Sequence, residues 1–166
     1  MKGSHFLLVG LLLSAAASAQ SNEFRVGFVS TERLFREAAP AKRAQQKLEK
    51  EFAARDAEIQ KLSKQVRDLQ ALLEKDSITM SESDRRNKER DLANLTRDLQ
   101  RGQREFREDL NLRRNEELAS VQERANKVIQ QMAEAEKFDL ILQDPVVFAS
   151  QRIDVTDKVI KALADK

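Results

Sequence analysis

Ile59-Gln60-Lys61-Leu62-Ser63-Lys64-Gln65-Val66-Arg67-Asp68-Leu69-Gln70-Ala71-Leu72-Leu73 sets Ile59, Leu62, Val66, Leu69 and Leu73 at alternating spacings of three and four. That spacing lines one face of an α-helix with a narrow apolar seam, which requires a partner helix. Carried backwards, the register takes in Phe52, Leu48 and Ala41, with Gln45 and Arg55 as polar exceptions. The only two prolines, Pro40 and Pro145, flank the stretch from Ala41 to Phe138, and Gly102 is the one glycine inside it. The rest is dominated by strong helix formers, a composition of long exposed helices rather than of a compact core.

The partner helix comes from a local break. Residues 74–84 interrupt the pattern with Ser, Thr and Asp side chains that compete for backbone hydrogen bonds. Ser81, followed by Asp84, reads as an N-cap with an acid in the first turn. Two helices are predicted, about 41–75 and 82–137, joined by a short loop and therefore antiparallel. At a rise of ~1.5 Å per residue they are roughly 50 Å and 85 Å long, so the last 20 or so residues of the second must pack on something else. The second helix starts a heptad at Leu92, Leu95 and Leu99, then recurs every eleven residues at Leu99, Leu110, Val121 and Met132. That period favours a straight course over a left-handed supercoil.

At the N-terminus, Met1-Lys2 precedes the apolar run Phe6–Ala17, and Ala17-Ser18-Ala19 fits a small-x-small cleavage site. The run is too short to span a bilayer, so a secretory signal peptide cut after Ala19 is expected, with no cysteine available for lipidation. Past it, Phe24–Val29 alternates as a strand, and Ser30 or Thr31 caps a helical turn over Glu32–Ala39. At the other end Phe138–Gln143 and Val146–Ala149 read as second and third strands about an Asp144-Pro145 turn, and Asp154 caps a last helix over Val155–Leu163. The fold class is mainly α with a small β body: residues 20–40 and 138–166 form the body, and 41–137 form a long antiparallel α-hairpin arm with its tip near 76–84. Three short strands lack a core of their own, so the body is expected to be completed by oligomerisation, through Val26, Phe28, Leu140, Leu142, Val146 and Phe148.

Chemistry is nearly absent from the sequence. There is no cysteine, tryptophan or tyrosine, and export removes the only histidine, His5. No phosphate-binding glycine loop and no nucleophile–base pair occurs, so the expectation is a non-enzyme without cofactor or metal. Charge is patterned instead. Residues 41–75 carry nine bases and six acids, and 85–114 carry ten and six, while the tip has Asp76, Glu82 and Asp84 with no base. Such shafts attract anionic partners. Nucleic acid is not expected as a partner, since export and the lack of an aromatic stacking set argue against it.

Val26-Gly27-Phe28-Val29-Ser30-Thr31-Glu32-Arg33-Leu34-Phe35 with Ala39-Pro40-Ala41-Lys42 resembles the start of the Skp/OmpH family of periplasmic chaperones. Phe138-Asp139-Leu140-Ile141-Leu142 and Asp154-Val155-Thr156-Asp157-Lys158-Val159-Ile160 are similar to that family's second strand and final helix start. The resemblance implies a periplasmic homotrimer whose three helical arms enclose a cavity. It also implies an ATP-independent holdase for unfolded outer-membrane β-barrel proteins. On that reading the client-facing residues are Lys61, Lys64, Leu92, Leu95, Arg97, Leu99, Arg101, Arg104 and Phe106. The family's tips are often strongly basic and this one is acidic, so no lipopolysaccharide site is carried over; transient contact with a membrane surface stays open. The alternative is a structural coiled-coil spacer or adaptor of an envelope assembly. Intact-mass analysis of the exported protein is expected to give a chain beginning at Gln20; a mass retaining the first 19 residues would contradict the leader reading.

Overall fold

The computed structural model describes residues 24–76 and 78–164, so the leader lies outside the described residues. Its elements run β1 (Val26–Val29), α1 (Thr31–Glu37), α2 (Ala39–Asp76), α3 (Glu82–Glu136), β2 (Leu140–Gln143) and α4 (Thr156–Ala164).

The hairpin boundaries follow from capping chemistry. Ser81 has an extended backbone, and its hydroxyl accepts from Asp84 N at 3.1 Å, which starts α3. Pro40 falls in the first turn of α2, where its missing N–H has no carbonyl to serve, so it opens the helix rather than kinking it. Ser30, and not Thr31, caps α1. The far end of α3 closes on Lys137, a non-glycine residue at φ 56°, whose N–H reaches Ala133 O and Glu134 O. Phe138 N also donates to Ala133 O, at 2.9 Å, which satisfies the last carbonyls.

β1 and β2 pair in parallel, Val26 with Leu140 through Val29 with Gln143. The other edge of β1 is taken by the segment ahead of α4: Phe28 N donates to Ile153 O at 2.8 Å and Val155 N to Phe28 O at 2.9 Å. This corrects the expectation of a third strand at Val146–Ala149. Both edges of β1 are occupied, and the Asp144 carboxylate is drawn to the N-terminus of α1, accepting from Thr31 N at 2.7 Å. The chain then leaves the sheet at a cis Asp144-Pro145 bond, and residues 146–150 are irregular. The first two strands are also shorter than expected, with Phe24 exposed outside β1 and Phe138 ahead of β2.

The core is a single cluster beneath this sheet. Val29 from β1, Leu34 from α1, Val121, Ala125, Val128 and Ile129 from α3, and Val155, Val159 and Leu163 from around α4 are all buried. The last turns of α3 are therefore the part of the long helix that packs on the body. Thr156 is fully buried with both of its polar demands met: its hydroxyl accepts from Ser30 N at 2.9 Å and its N–H donates to Asp154 Oδ1 at 2.8 Å. Above the body the arm thins. Among the described residues none between 53 and 120 is fully buried, because two helices alone cover only part of each other's seam.

Packing around Gly27 is tight. A Cβ there would stand 3.2 Å from Phe138 Cε1 and 3.3 Å from Ile141 Cγ1. Gly27→Val is expected to destabilise the fold by about 1–3 kcal/mol through overpacking, read as a lower urea midpoint, and Phe138→Leu in the same chain should recover part of the loss.

Candidate functional site

Two surfaces are built for contact. The first is the outward face of the sheet. Because β1 and β2 alternate, Gly27, Val29 and Ile141 turn inward, while Val26, Phe28, Leu140 and Leu142 share the opposite face. Val26 and Phe28 are half-buried, and Leu140 and Leu142 are 43% and 39% exposed. Beside them Val146 is half-buried, Val147 is fully exposed and Phe148 is 83% exposed. All six residues predicted for an oligomer core thus lie outside the buried cluster, and the four on the sheet leave an apolar face open to water. Clustered apolar exposure of this kind marks an interaction surface.

The second surface is the arm. At its base Phe52 is buried and meets Phe106 edge-on, with ring centroids 5.5 Å apart and planes at 89°. On one flank of this pair runs a solvent-open groove of about 840 Å³. Ala41, Leu48, Phe52, Leu110 and Leu118 form its apolar floor, Phe35 closes its lower end, and Glu49, Asp56 and Arg114 stand on its rim. Alongside it ion pairs bridge the two helices: Lys47–Glu117, whose carboxylate also lines the groove, Glu51–Arg113 and Arg55–Asp109. The hydrogen bond from Lys47 holds the Glu117 carboxyl below the usual carboxylate range, and Glu51 and Glu116 push the Arg113 guanidinium further up. Arg55, Asp109 and Arg113 interrupt the seam in the sequence; in the fold they flank it in complementary pairs.

The residues predicted to face clients lie mostly above this base. Leu92, Leu95, Leu99 and Phe106 are half-buried along the seam. Lys61, Lys64, Arg97, Arg101 and Arg104 are exposed. Lys64 pairs with Asp68, Arg101 with Asp98, and Arg97 donates to Asn94. Lys61 and Arg104 make no ion pair among the described residues. The structure brings them onto one shaft but not into one pocket. Sequence reading missed the groove and the cross-helix pairs. The sequence signal for the pairs is a row of charges of alternating sign at every fourth position in both helices.

A second polar network joins the body. Arg33 of α1 bonds Glu37 and reaches Asp157 Oδ1 at 2.6 Å, and Arg25 lies 4.4 Å over the Phe138 ring while bonding Glu136. The hydrogen bond from Arg33 depresses the Glu37 carboxyl, and that from Lys158 depresses Glu136. These are structural clips between elements, with no arrangement of nucleophile and base.

Comparison with known proteins matches residues 25–163 to the family described as "Outer membrane protein (OmpH-like)". The chain belongs to the OmpH-like family. Curated relatives include the chaperone protein Skp of Pectobacterium atrosepticum, 25% identical over 92% of this chain and 93% of the relative. The chaperone protein Skp of Escherichia coli is 29% identical over 93% and 95%. Among solved structures, an OmpH-like outer membrane chaperone from Caulobacter crescentus superposes with a TM-score of 0.69 at 19% identity, covering 99% of this chain and 90% of that one. That likeness concerns the fold: a small β body bearing long helices. The curated relatives are named chaperones, which is not an enzymatic role. No helix among the described residues is long and apolar enough to cross a membrane.

Phe52 and Phe106 are expected to act as a unit. Each alanine replacement should lower stability, and a double-mutant cycle read by urea denaturation should return a coupling of about 0.5–1.5 kcal/mol.

Proposed function

We propose that the mature chain is an ATP-independent periplasmic holdase that binds unfolded outer-membrane β-barrel proteins. On this reading it works as a homotrimer. The apolar sheet face with Val147 and Phe148 is the surface that three copies cover on one another, and the arms project from that body around a shared cavity. The observation that carries the reading is the arm itself: a seam half-open from residue 53 to residue 120 with basic residues along its shafts. A fixed spacer would be expected to bury a continuous seam against one partner. A half-covered seam instead offers short apolar contacts to many different segments, and an exported protein far from nucleotide pools must act by binding alone.

Capture and retention would rest on different forces. Field from the shafts speeds encounter and is screened beyond ~8 Å at physiological salt, whereas contact with Leu92, Leu95, Leu99 and Phe106 is salt-resistant. Arg104 and Lys61 make no ion pair among the described residues and add to the positive field of the shafts.

The test is dilution of a denatured outer-membrane β-barrel protein into buffer with the mature chain and no ATP. Aggregation should be suppressed. Stopped-flow association should slow by about tenfold from low to physiological salt, with dissociation little changed. Reversing Arg97, Arg101 and Arg104 to Glu should reproduce that slowing. Unchanged aggregation would sink the holdase reading; an association rate indifferent to salt and to reversal would reduce the shafts to a solvated surface.

A further inference from the structure

Along α2, Lys47, Glu51 and Arg55 follow one another at every fourth position and alternate in sign; along α3, Asp109, Arg113 and Glu117 do the same. The fold sets these rows against each other. Lys47 Nζ lies 2.5 Å from Glu117 Oε1, Arg113 Nε 3.0 Å from Glu51 Oε1, and Arg55 Nη1 2.7 Å from Asp109 Oδ2. The two rows advance in equal steps in opposite directions, so all three rungs describe one antiparallel register.

We propose that this row is a register lock for the base of the arm, selecting one sliding position of α3 along α2 among those that the apolar seam alone accepts. The competing positions can be read from the sequence. A one-turn slide in one direction sets Lys47 against Arg113 and Glu51 against Asp109, with only Arg55 finding an acid, Glu105. In the other direction it sets Glu51 against Glu117 and Arg55 against Arg113. A heptad slide either opposes Lys47 to Arg124 and keeps a single matched pair, Arg55 with Glu116, or leaves the α2 row facing Leu110, Phe106 and Gly102. Each slide loses matched pairs, and three of the four create like-charge contacts. The Phe52–Phe106 contact favours one position as well, but the Leu, Ile and Val of the remaining seam discriminate poorly between such positions, and charged or polar residues set register in paired helices.

The lock stops at Arg55 and Asp109. Nearer the tip, the ion pairs among the described residues stay within one helix, as in Lys64–Asp68, Arg85–Glu89 and Arg101–Asp98. The base half of the hairpin thus has charge added to its Phe52–Phe106 contact, and the tip half has the apolar seam and the loop alone. This division is a property of the hairpin and does not depend on what the arms bind.

Because the chain has no cysteine, an introduced pair reports register without background. A Cβ at position 102 would lie 3.9 Å from Ile59 Cγ1, so Ile59→Cys with Gly102→Cys should cross-link readily in the native register. In that full-length background, Lys47→Glu, Glu51→Lys and Arg55→Glu together put like charges on every rung. Asp109→Lys, Arg113→Glu and Glu117→Lys do the same from the other side, and the two sets combined restore complementarity. Either set alone is expected to slow disulfide formation about fivefold or more, with helix content retained by circular dichroism, and the combined chain should return to within about twofold of the parent. The gentler Glu51→Lys, with and without Arg113→Glu, should show the same loss and recovery on a smaller scale. Cross-linking at the parent rate in both single-set chains would overturn the proposal, as would a combined chain that keeps its helix content without regaining the rate.

Discussion

Everything in this molecule hangs on four residues of β1. Val26–Val29 is hydrogen-bonded to Leu140–Gln143 on one edge and to the Ile153–Val155 segment on the other, so it ties the start of the body to a segment more than 110 residues further along the chain. Closing so long a loop is entropically costly only in a slowly growing way, and the intervening chain is itself ordered into a hairpin. The clasp is short, and its strength comes from what covers its inner face. α3 and α4 pack Val121, Ala125, Val128, Val159 and Leu163 under Val29, while Thr156 and Asp144 satisfy the backbone donors at the start of α1.

The same geometry leaves the clasp one-sided. A strand presents alternate residues to opposite faces, so sealing Gly27 and Val29 beneath the sheet turns Val26 and Phe28 outward beside Leu140 and Leu142. Among the described residues the body has no further element that covers them. The arm faces the opposite situation. Its two helices cover each other thinly, and only at the base do the Phe52–Phe106 contact and the cross-helix charges add to the seam. A chain with a closed, clasped body and a long half-covered hairpin fits the OmpH-like family to which it belongs.

Local signals made the helices legible and long-range ones did not. The hairpin ends agree with the observed α2 and α3 to within two residues, because Pro40, Ser81 and the break at 74–84 act through adjacent backbone. Asp154 was legible as a residue serving the start of the last helix for a similar reason, though α4 begins at Thr156, one residue later than expected, and Asp154 accepts from its first N–H. Val146–Ala149 has the composition of a strand, but the chain leaves the sheet at Asp144-Pro145, and the second edge of β1 is taken by Ile153–Val155, an alternating run too short to announce a strand by itself. The left-handed end of α3 at Lys137 carries no glycine to announce it. For the contact surfaces, Phe28 and Phe148 stood out by type and alternation; Phe28 lies on the open face of the sheet and Phe148 is exposed in the irregular segment after it. Arg55, Asp109 and Arg113 read as interruptions when each helix is scanned alone, and become complementary pairs only once the two are set antiparallel. The groove beside Phe52 depends on how the helices lean together, which no pattern in either one specifies.

The central claim is that the outward face of the clasp is completed by copies of the same chain. Sedimentation equilibrium of the mature protein at micromolar concentration tests it most directly. The account predicts a single species of three times the chain mass, and a monomer with full secondary structure at the same concentration would contradict it.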